Sequence, residues 1–278
     1  MSTQSRVRFG RTGRQVSRLG MQTGQLTETH PAAHREAVAL VREAVRLGVG
    51  VIDTAPLYGR GAVERIVGEA LEDAAADVCL ITKIGRFDRG GLAPYGDACY
   101  QTPALIEAQF EQSLRLLRRD RVDLLLHEAD WVEWWPDGRP GTPSPVLDVM
   151  AGLRAAGRIG GAGVFTAAGP EPLRQLCAGG PFDVLEYAPD LSVGWPDSLA
   201  AALAPARTAG LGVALRLPRT VGPQLHLAAG RRGMTTPEYT LRRLLTEPGV
   251  QTVLTAPRDR HELEQHVQWV NRPPLDLG

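Results

Sequence analysis

Lysine is almost missing from this 278-residue chain: among 31 basic side chains only Lys83 is a lysine. Excess charge is missing too, because 31 acidic side chains balance the basic ones and no Lys/Arg cluster stands out. That balance argues against nucleic acid or an anionic membrane as partner. Cysteine is scarce. Cys79, Cys99 and Cys177 are odd in number and far apart, which suits neither a disulfide framework nor a zinc spacing. Free thiols in a reducing compartment are the expectation. The opening MSTQSRVRFG has no apolar signal core, and no stretch approaches the ~18 apolar residues of a membrane helix. A cytoplasmic protein is therefore expected. His30 and His34 stand four apart without an acidic third ligand, so no metal site is expected. Gly160, Gly161 and Gly163 fail the dinucleotide spacing G-x-G-x-x-G, since Thr166 holds the third position.

What the chain does contain is alternation. RVRFGRTGRQVSRLG reads as two extended pieces joined at a Gly-Arg-Thr-Gly turn. Eight short apolar runs follow: 16–21, 48–53, 78–82, 122–127, 159–165 (broken at Gly160 and Gly161), 182–187, 211–217 and 250–255. They are continuously apolar, as strands covered on both faces must be. Helix-permitting segments lie between them. Thr102-Pro103, Ser144-Pro145 and Thr236-Pro237 each put a capping hydroxyl before a first-turn proline. Pro205 predicts a short or kinked helix before the seventh strand. Eight strand–helix units in a chain of this length favour an α/β fold, a (β/α)8 TIM barrel with an N-terminal β-hairpin. An open doubly wound sheet is the alternative. No linker divides the chain, so residues 1–278 read as a single domain, with 128–145 as an inserted loop.

In a parallel barrel the loops after the strands line the active face. Asp53 ends the second strand, Lys83 the third and His127 the fourth, while Tyr58 follows Asp53 by five residues. Singly, each has a structural alternative: a helix cap, a surface cation, a packed phenol, a buried imidazole. Together, on consecutive loops, they make an acid–base group. Tyrosine ionises near pH 10, and an adjacent ammonium lowers that value. A carboxylate keeps the ammonium charged, and an imidazole can orient a carbonyl oxygen.

The same residues resemble a known family. FGRTGRQVSRLG, VIDTAPLYGRGAVERIVGEAL, LITKIGR and VDLLLHEAD are similar to the hairpin, the Asp–Tyr segment, the lysine strand and the histidine strand of the aldo-keto reductases. The chain also resembles their sugar-oxidising branch. The resemblance implies a barrel in which Tyr58 donates the proton, Lys83 and Asp53 tune it, and His127 orients the carbonyl. It also implies a nicotinamide cofactor, NAD(P)(H), across the mouth. On the cofactor side the match is looser. Phe165 and Thr166 occupy the place of a polar pair, Glu186 or Tyr187 that of a glutamine, and Arg216 that of a stacking aromatic. Arg258 and Arg260 could meet an adenosine phosphate, while Glu262 leans toward NAD(H). Two activities follow: an NAD(P)-linked carbonyl/alcohol oxidoreductase, or a redox-neutral lyase, dehydratase, isomerase or cyclase that uses the same residues and no cofactor. The substrate expected is a small carbonyl, alcohol or sugar-like molecule held by Phe87, Trp131, Trp134, Trp135 and Trp195.

Overall fold

The apolar runs become the staves of a closed barrel. A computed structural model describes residues 5–26, 30–72, 78–85, 102–128, 145–167, 177, 180–196 and 199–276. Strands β1 (Arg6–Arg8) and β2 (Gln15–Ser17) form an antiparallel hairpin. Eight parallel strands follow: β3 (Leu19–Gln22), β4 (Val51–Asp53), β5 (Cys79–Ile84), β6 (Val122–Glu128), β7 (Ile159–Thr166), β8 (Val184–Tyr187), β9 (Gly212–Arg216) and β10 (Val250–Thr255). They pair in chain order, and β10 closes onto β3. The helices are α1 (Pro31–Arg46), α2 (Ala62–Ala70), α3 (Pro103–Leu117), α4 (Pro145–Ala155), α5 (Leu199–Thr208), α6 (Pro223–Arg231), α7 (Thr236–Leu244) and α8 (Arg260–Val270). This is the (β/α)8 barrel with its N-terminal hairpin. Among the described residues, no helix is long and apolar enough to cross a membrane.

Side chains from alternate strand positions build two concentric cores. Val51, Ile81, Leu124, Leu126, Val184 and Leu254 fill the barrel interior, joined by Phe9 and Val16 of the hairpin. Leu80, Ile84, Leu125, Val164, Leu185 and Tyr187 face the helices instead, with Val41, Ile66 and Phe110. The hairpin plugs the N-terminal end of the barrel. A Cβ on Gly10 (φ +53°) would stand 2.0 Å from the backbone nitrogen of Gly212, and one on Gly212 would meet the Phe9 ring at 2.7 Å, so the plug needs glycine at both places.

The expected break at Gly160 and Gly161 is absent: β7 runs unbroken from Ile159 to Thr166. Missing side chains there make room rather than a kink, since a Cβ on Gly160 would lie 2.7 Å from the Asp123 carbonyl oxygen and one on Gly161 2.9 Å from Leu124 Cδ2. Thr102 caps α3 as expected, but the capping hydroxyl of α7 belongs to Thr235, one residue before Thr236. Ser144 lies outside the described residues. Helix α5 is short and carries Pro205 within it.

Candidate active site

Strand register decides which polar side chains enter the mouth. In parallel pairs, neighbours in register project to the same side of the sheet. Asp53 continues the inward series of Val51, and Lys83 that of Ile81. Glu128 continues that of Leu124 and Leu126, and lies in register with Phe165, which packs on the interior core. Glu186 pairs with Phe165 on one side and Ala214 on the other, and Arg216 continues from Ala214. An acidic, cationic and aromatic layer thus caps an apolar interior at the C-terminal ends of the strands.

The charged members are bonded to one another. Lys83 donates to Asp53 Oδ1 and, at 3.0 Å, to the Thr54 carbonyl. Arg216 Nε donates to Glu186 Oε1 at 2.6 Å, and its Nη2 reaches Asp53 Oδ2 at 3.3 Å. The same Nη2 donates to the hydroxyl oxygen of Tyr58 at 2.8 Å. The guanidinium lies over the Phe165 ring, 3.9 Å from its centroid, a stacking that Arg favours. Lys83 stands 5.6 Å from the Tyr58 ring centroid. Asp53 and Glu186 are fully buried, as charged groups are only when paired.

Tyr58 reaches the cluster through an unusual backbone. It opens a one-turn 3-10 helix, Tyr58–Gly61, in which Gly59 and Arg60 hold positive φ angles of 57° and 55°. Its ring packs against the chain at Gly24, where a Cβ would lie 3.2 Å from Cε1 and Cζ.

Electrostatics corrects one expectation. Burial pushes the Tyr58 phenol up to about 12, and Lys83 and Arg216 do not offset it because Asp53 and Glu186 oppose them. Burial and the Glu186 carboxylate raise Asp53 to about 7, against the pull of Lys83 and Arg216. Burial opposes ionisation of Glu186, yet Arg216 and Lys83 overcome it and hold its pKa low. Burial likewise opposes the charge on Lys83, and Asp53 and Glu186 outweigh it and keep the amine protonated.

Not every expected residue joins this group. His127 is in register with Ile84 and Val164, both in the outer core, so its ring belongs on the helix side of β6. Burial drives its pKa down to about 3, and the described charges that act on Tyr58 are not among the causes. The structure therefore assembles Asp53, Tyr58 and Lys83 without His127, because β6 alternates and His127 has the parity of Leu125. The same rule separates the paired alternatives on β7 and β8: Phe165 and Glu186 point in, Thr166 and Tyr187 out. Trp195 packs on the outer core, with its indole N–H donating to Glu247 at 3.2 Å and Arg243 covering its ring at 4.3 Å. That fixes it to the end of α7 and not among the cluster. Phe87, Trp131, Trp134 and Trp135 lie outside the described residues.

Arg258 and Arg260 border a cavity of about 600 Å³ between α1 and the start of α8. Both are largely exposed and already paired. Arg258 meets Glu262 at 3.2 Å, and Arg260 meets Glu264 at 2.8 Å and Glu43 at 3.0 Å. Glu262 also accepts from the backbone N–H of Arg258 at 2.8 Å. Among the described residues, no group of three or more His, Cys, Asp or Glu could hold a metal ion.

The sequence of residues 18–186 matches the model of the Aldo/keto reductase family. The chain belongs to that family. L-galactose dehydrogenase of Arabidopsis thaliana is 35% identical over 122 residues, 42% of this chain and 35% of that protein. The chain spans 28–42% of the length of the first curated relatives it matches. Aldo-keto reductase AKR11C1 from Bacillus halodurans (holo form) superimposes with a TM-score of 0.79 at 22% identity, covering 98% of this chain and 93% of that one. An aldo-keto reductase from Klebsiella pneumoniae, solved in complex with NADPH, gives 0.74 at 23% identity over 98% and 91%. At these identities the structural likeness speaks to the barrel. At the mouth of this barrel Arg216 pairs with Glu186. The sequence offers both only as candidates beside a cofactor, each the last residue but one of an apolar run. Counting by twos from Ala214 and Val184 finds both.

Proposed function

We propose that this chain is an NAD(P)-dependent oxidoreductase that interconverts a small carbonyl compound and the corresponding alcohol, with Tyr58 as the proton-transfer group. The observation that carries the reading is the 2.8 Å hydrogen bond from Arg216 to the Tyr58 hydroxyl oxygen, beside the buried Lys83–Asp53 pair at the barrel mouth. Because that oxygen accepts from Arg216, its own proton is free to be donated to a carbonyl oxygen. The phenolate left behind would be stabilised by Arg216 directly and by Lys83 at longer range. With its pKa pushed up, Tyr58 remains protonated at neutral pH and is poised to donate. Asp53 holds Lys83 in place and, with Glu186, balances the two cations.

The residues at the mouth suit a nicotinamide. Glu186 Oε2 is buried and accepts no hydrogen bond from the described residues, an acceptor that a carboxamide N–H would satisfy. Glu186 would hold that amide, and Phe165 and Arg216 would form the floor beside it. The cofactor would supply the hydride in reduction and take it up in oxidation. Arg258 and Arg260 would lie toward its adenosine end. Their pairing with Glu262, Glu264 and Glu43 leaves little free positive charge for a 2′-phosphate, which favours NAD(H).

One observation favours a second reading, a redox-neutral acid–base enzyme: the fixed guanidinium of Arg216 sits where a nicotinamide that becomes cationic on oxidation would have to lie near it. Titration of the protein with NADH and NADPH, followed by fluorescence, separates the two. Binding of either supports hydride transfer, and no binding at millimolar concentration removes it. Tyr58→Phe should cost at least ~100-fold in turnover in either case, and a near-wild-type rate eliminates the assignment.

A further inference from the structure

Resting on the carbonyl/alcohol reading above, we propose that Glu128, in place of His127, is the β6 side chain that meets the substrate, where its carboxylate selects substrates bearing a hydroxyl group beside the reacting carbon. The inference starts from alternation along β6. Leu124 and Leu126 belong to the barrel interior and Leu125 to the outer core, so the next inward position is Glu128 and the next outward one His127. The neighbouring strands agree from both sides. Lys83, a member of the mouth cluster, is in register with Leu126, and Ile84, an outer-core residue, with His127. Phe165, whose face carries the Arg216 guanidinium, is in register with Glu128, and Val164, an outer-core residue, with His127. Two independent registers thus assign the same side to each residue.

Chemistry then distinguishes what the two could do. An imidazole on the helix side of the strand has no line to a carbonyl held over Lys83 and Tyr58. A carboxylate has no proton to give when ionised, but it accepts strongly from O–H groups. Placed in the rim beside Phe165, it would take a hydrogen bond from a hydroxyl next to the carbonyl carbon. A substrate lacking that hydroxyl would leave the carboxylate less well satisfied, which is how a polar site rejects a deoxy analogue. Glu128 is 5% exposed, so such a contact would be made largely out of water, where it is strongest. Glu128 would therefore set specificity while Tyr58 carries the proton.

Two measurements test this. In a Cys99→Ser background, with Cys79 and Cys177 both buried, the thiol introduced by Glu128→Cys should react with iodoacetamide at least ~10-fold faster than that from His127→Cys in the folded protein, since alkylation follows access. Equal rates, or the reverse order, overturn the assignment of faces. The second compares kcat/KM for glyceraldehyde and propionaldehyde with NADH or NADPH. Wild type should favour glyceraldehyde. Glu128→Leu should shrink that preference by ~10-fold or more, the scale of a hydrogen bond to a charged group, and His127→Leu should leave it unchanged. A preference that survives Glu128→Leu, or that falls with His127→Leu, overturns the specificity role. Turnover of neither aldehyde by wild type overturns the oxidoreductase reading and the selectivity with it, while alkylation still decides which side chain faces the mouth.

Discussion

Arg216 bridges the Tyr58 phenol and the carboxylates of Asp53 and Glu186, so its removal acts on chemistry and stability together. Arg216→Leu strips Glu186 of the guanidinium that hydrogen-bonds its Oε1 and leaves a fully buried carboxylate whose remaining described cation is Lys83, at 3.8 Å. Breaking one partner of a buried ion pair costs about 3–5 kcal/mol. Urea unfolding should therefore show a loss of that order, and a loss below ~1 kcal/mol would mean that the pair is not buried as described. The phenol should also become harder to ionise, because its nearest cation is gone. Ultraviolet titration of tyrosine ionisation would show that rise against wild type. Arg216→Lys restores charge without the planar fork, and should recover part of the stability but not the joint contact to Glu186, Asp53 and Tyr58. If Lys serves as well as Arg, only charge matters at this position.

Strands and helices show where sequence reading succeeds and where it stops. The run at 250–255 became β10 residue for residue, and six of the other seven each became a single strand, although β4 keeps only 51–53 of 48–53. The exception is 16–21. Its first residues, Val16 and Ser17, belong to the hairpin, and β3 starts only at Leu19. Nothing in six mostly apolar residues marks that change of partner. The same property hid the sidedness of β6. A strand buried on both faces lacks the apolar–polar alternation that reveals which residues point inward. VDLLLHE reads equally well with His127 or Glu128 in the mouth until β5 and β7 supply the register. Polar residues at strand ends are legible, but the faces they occupy come only from pairing. The hairpin offers a test at this scale. Phe9 is fully buried in the barrel interior although it lies outside the eight strands. Phe9→Ala would open the floor of the barrel, and core Phe→Ala changes cost about 3–5 kcal/mol. A variant within ~1 kcal/mol of wild type would show that the barrel does not need its plug.

Across the whole molecule, buried titratable groups set the pH response of stability, and they pull in opposite directions. Burial raises both Asp53, where Glu186 adds to the effect, and Glu64 on α2 to about 7. Such carboxyls bind protons more tightly folded than unfolded, so their contribution is full below the unfolded values near 4 and is lost as pH rises through about 7. Burial lowers His127 to about 3 and His266 to about 4. Those imidazoles contribute fully above their ordinary value near 6.5 and lose that contribution as pH falls through about 3–4. Between about pH 4 and 6.5 the two effects oppose each other, so the chain should show a shallow stability profile there and a decline toward pH 8. Glu64 isolates one side of the balance. It is fully buried between α2 and β5, where Thr82 donates to its Oε1 at 2.7 Å. Near pH 4.5 its neutral carboxyl and the amide of Glu64→Gln are close equivalents. At pH 8 the wild type must ionise a buried carboxyl that the variant lacks. Glu64→Gln should therefore gain on wild type as pH rises, by on the order of 3 kcal/mol between pH 4.5 and pH 8. Urea unfolding of both proteins at the two pH values measures this, and a difference that stays constant would show that Glu64 titrates alike in the folded and unfolded chain.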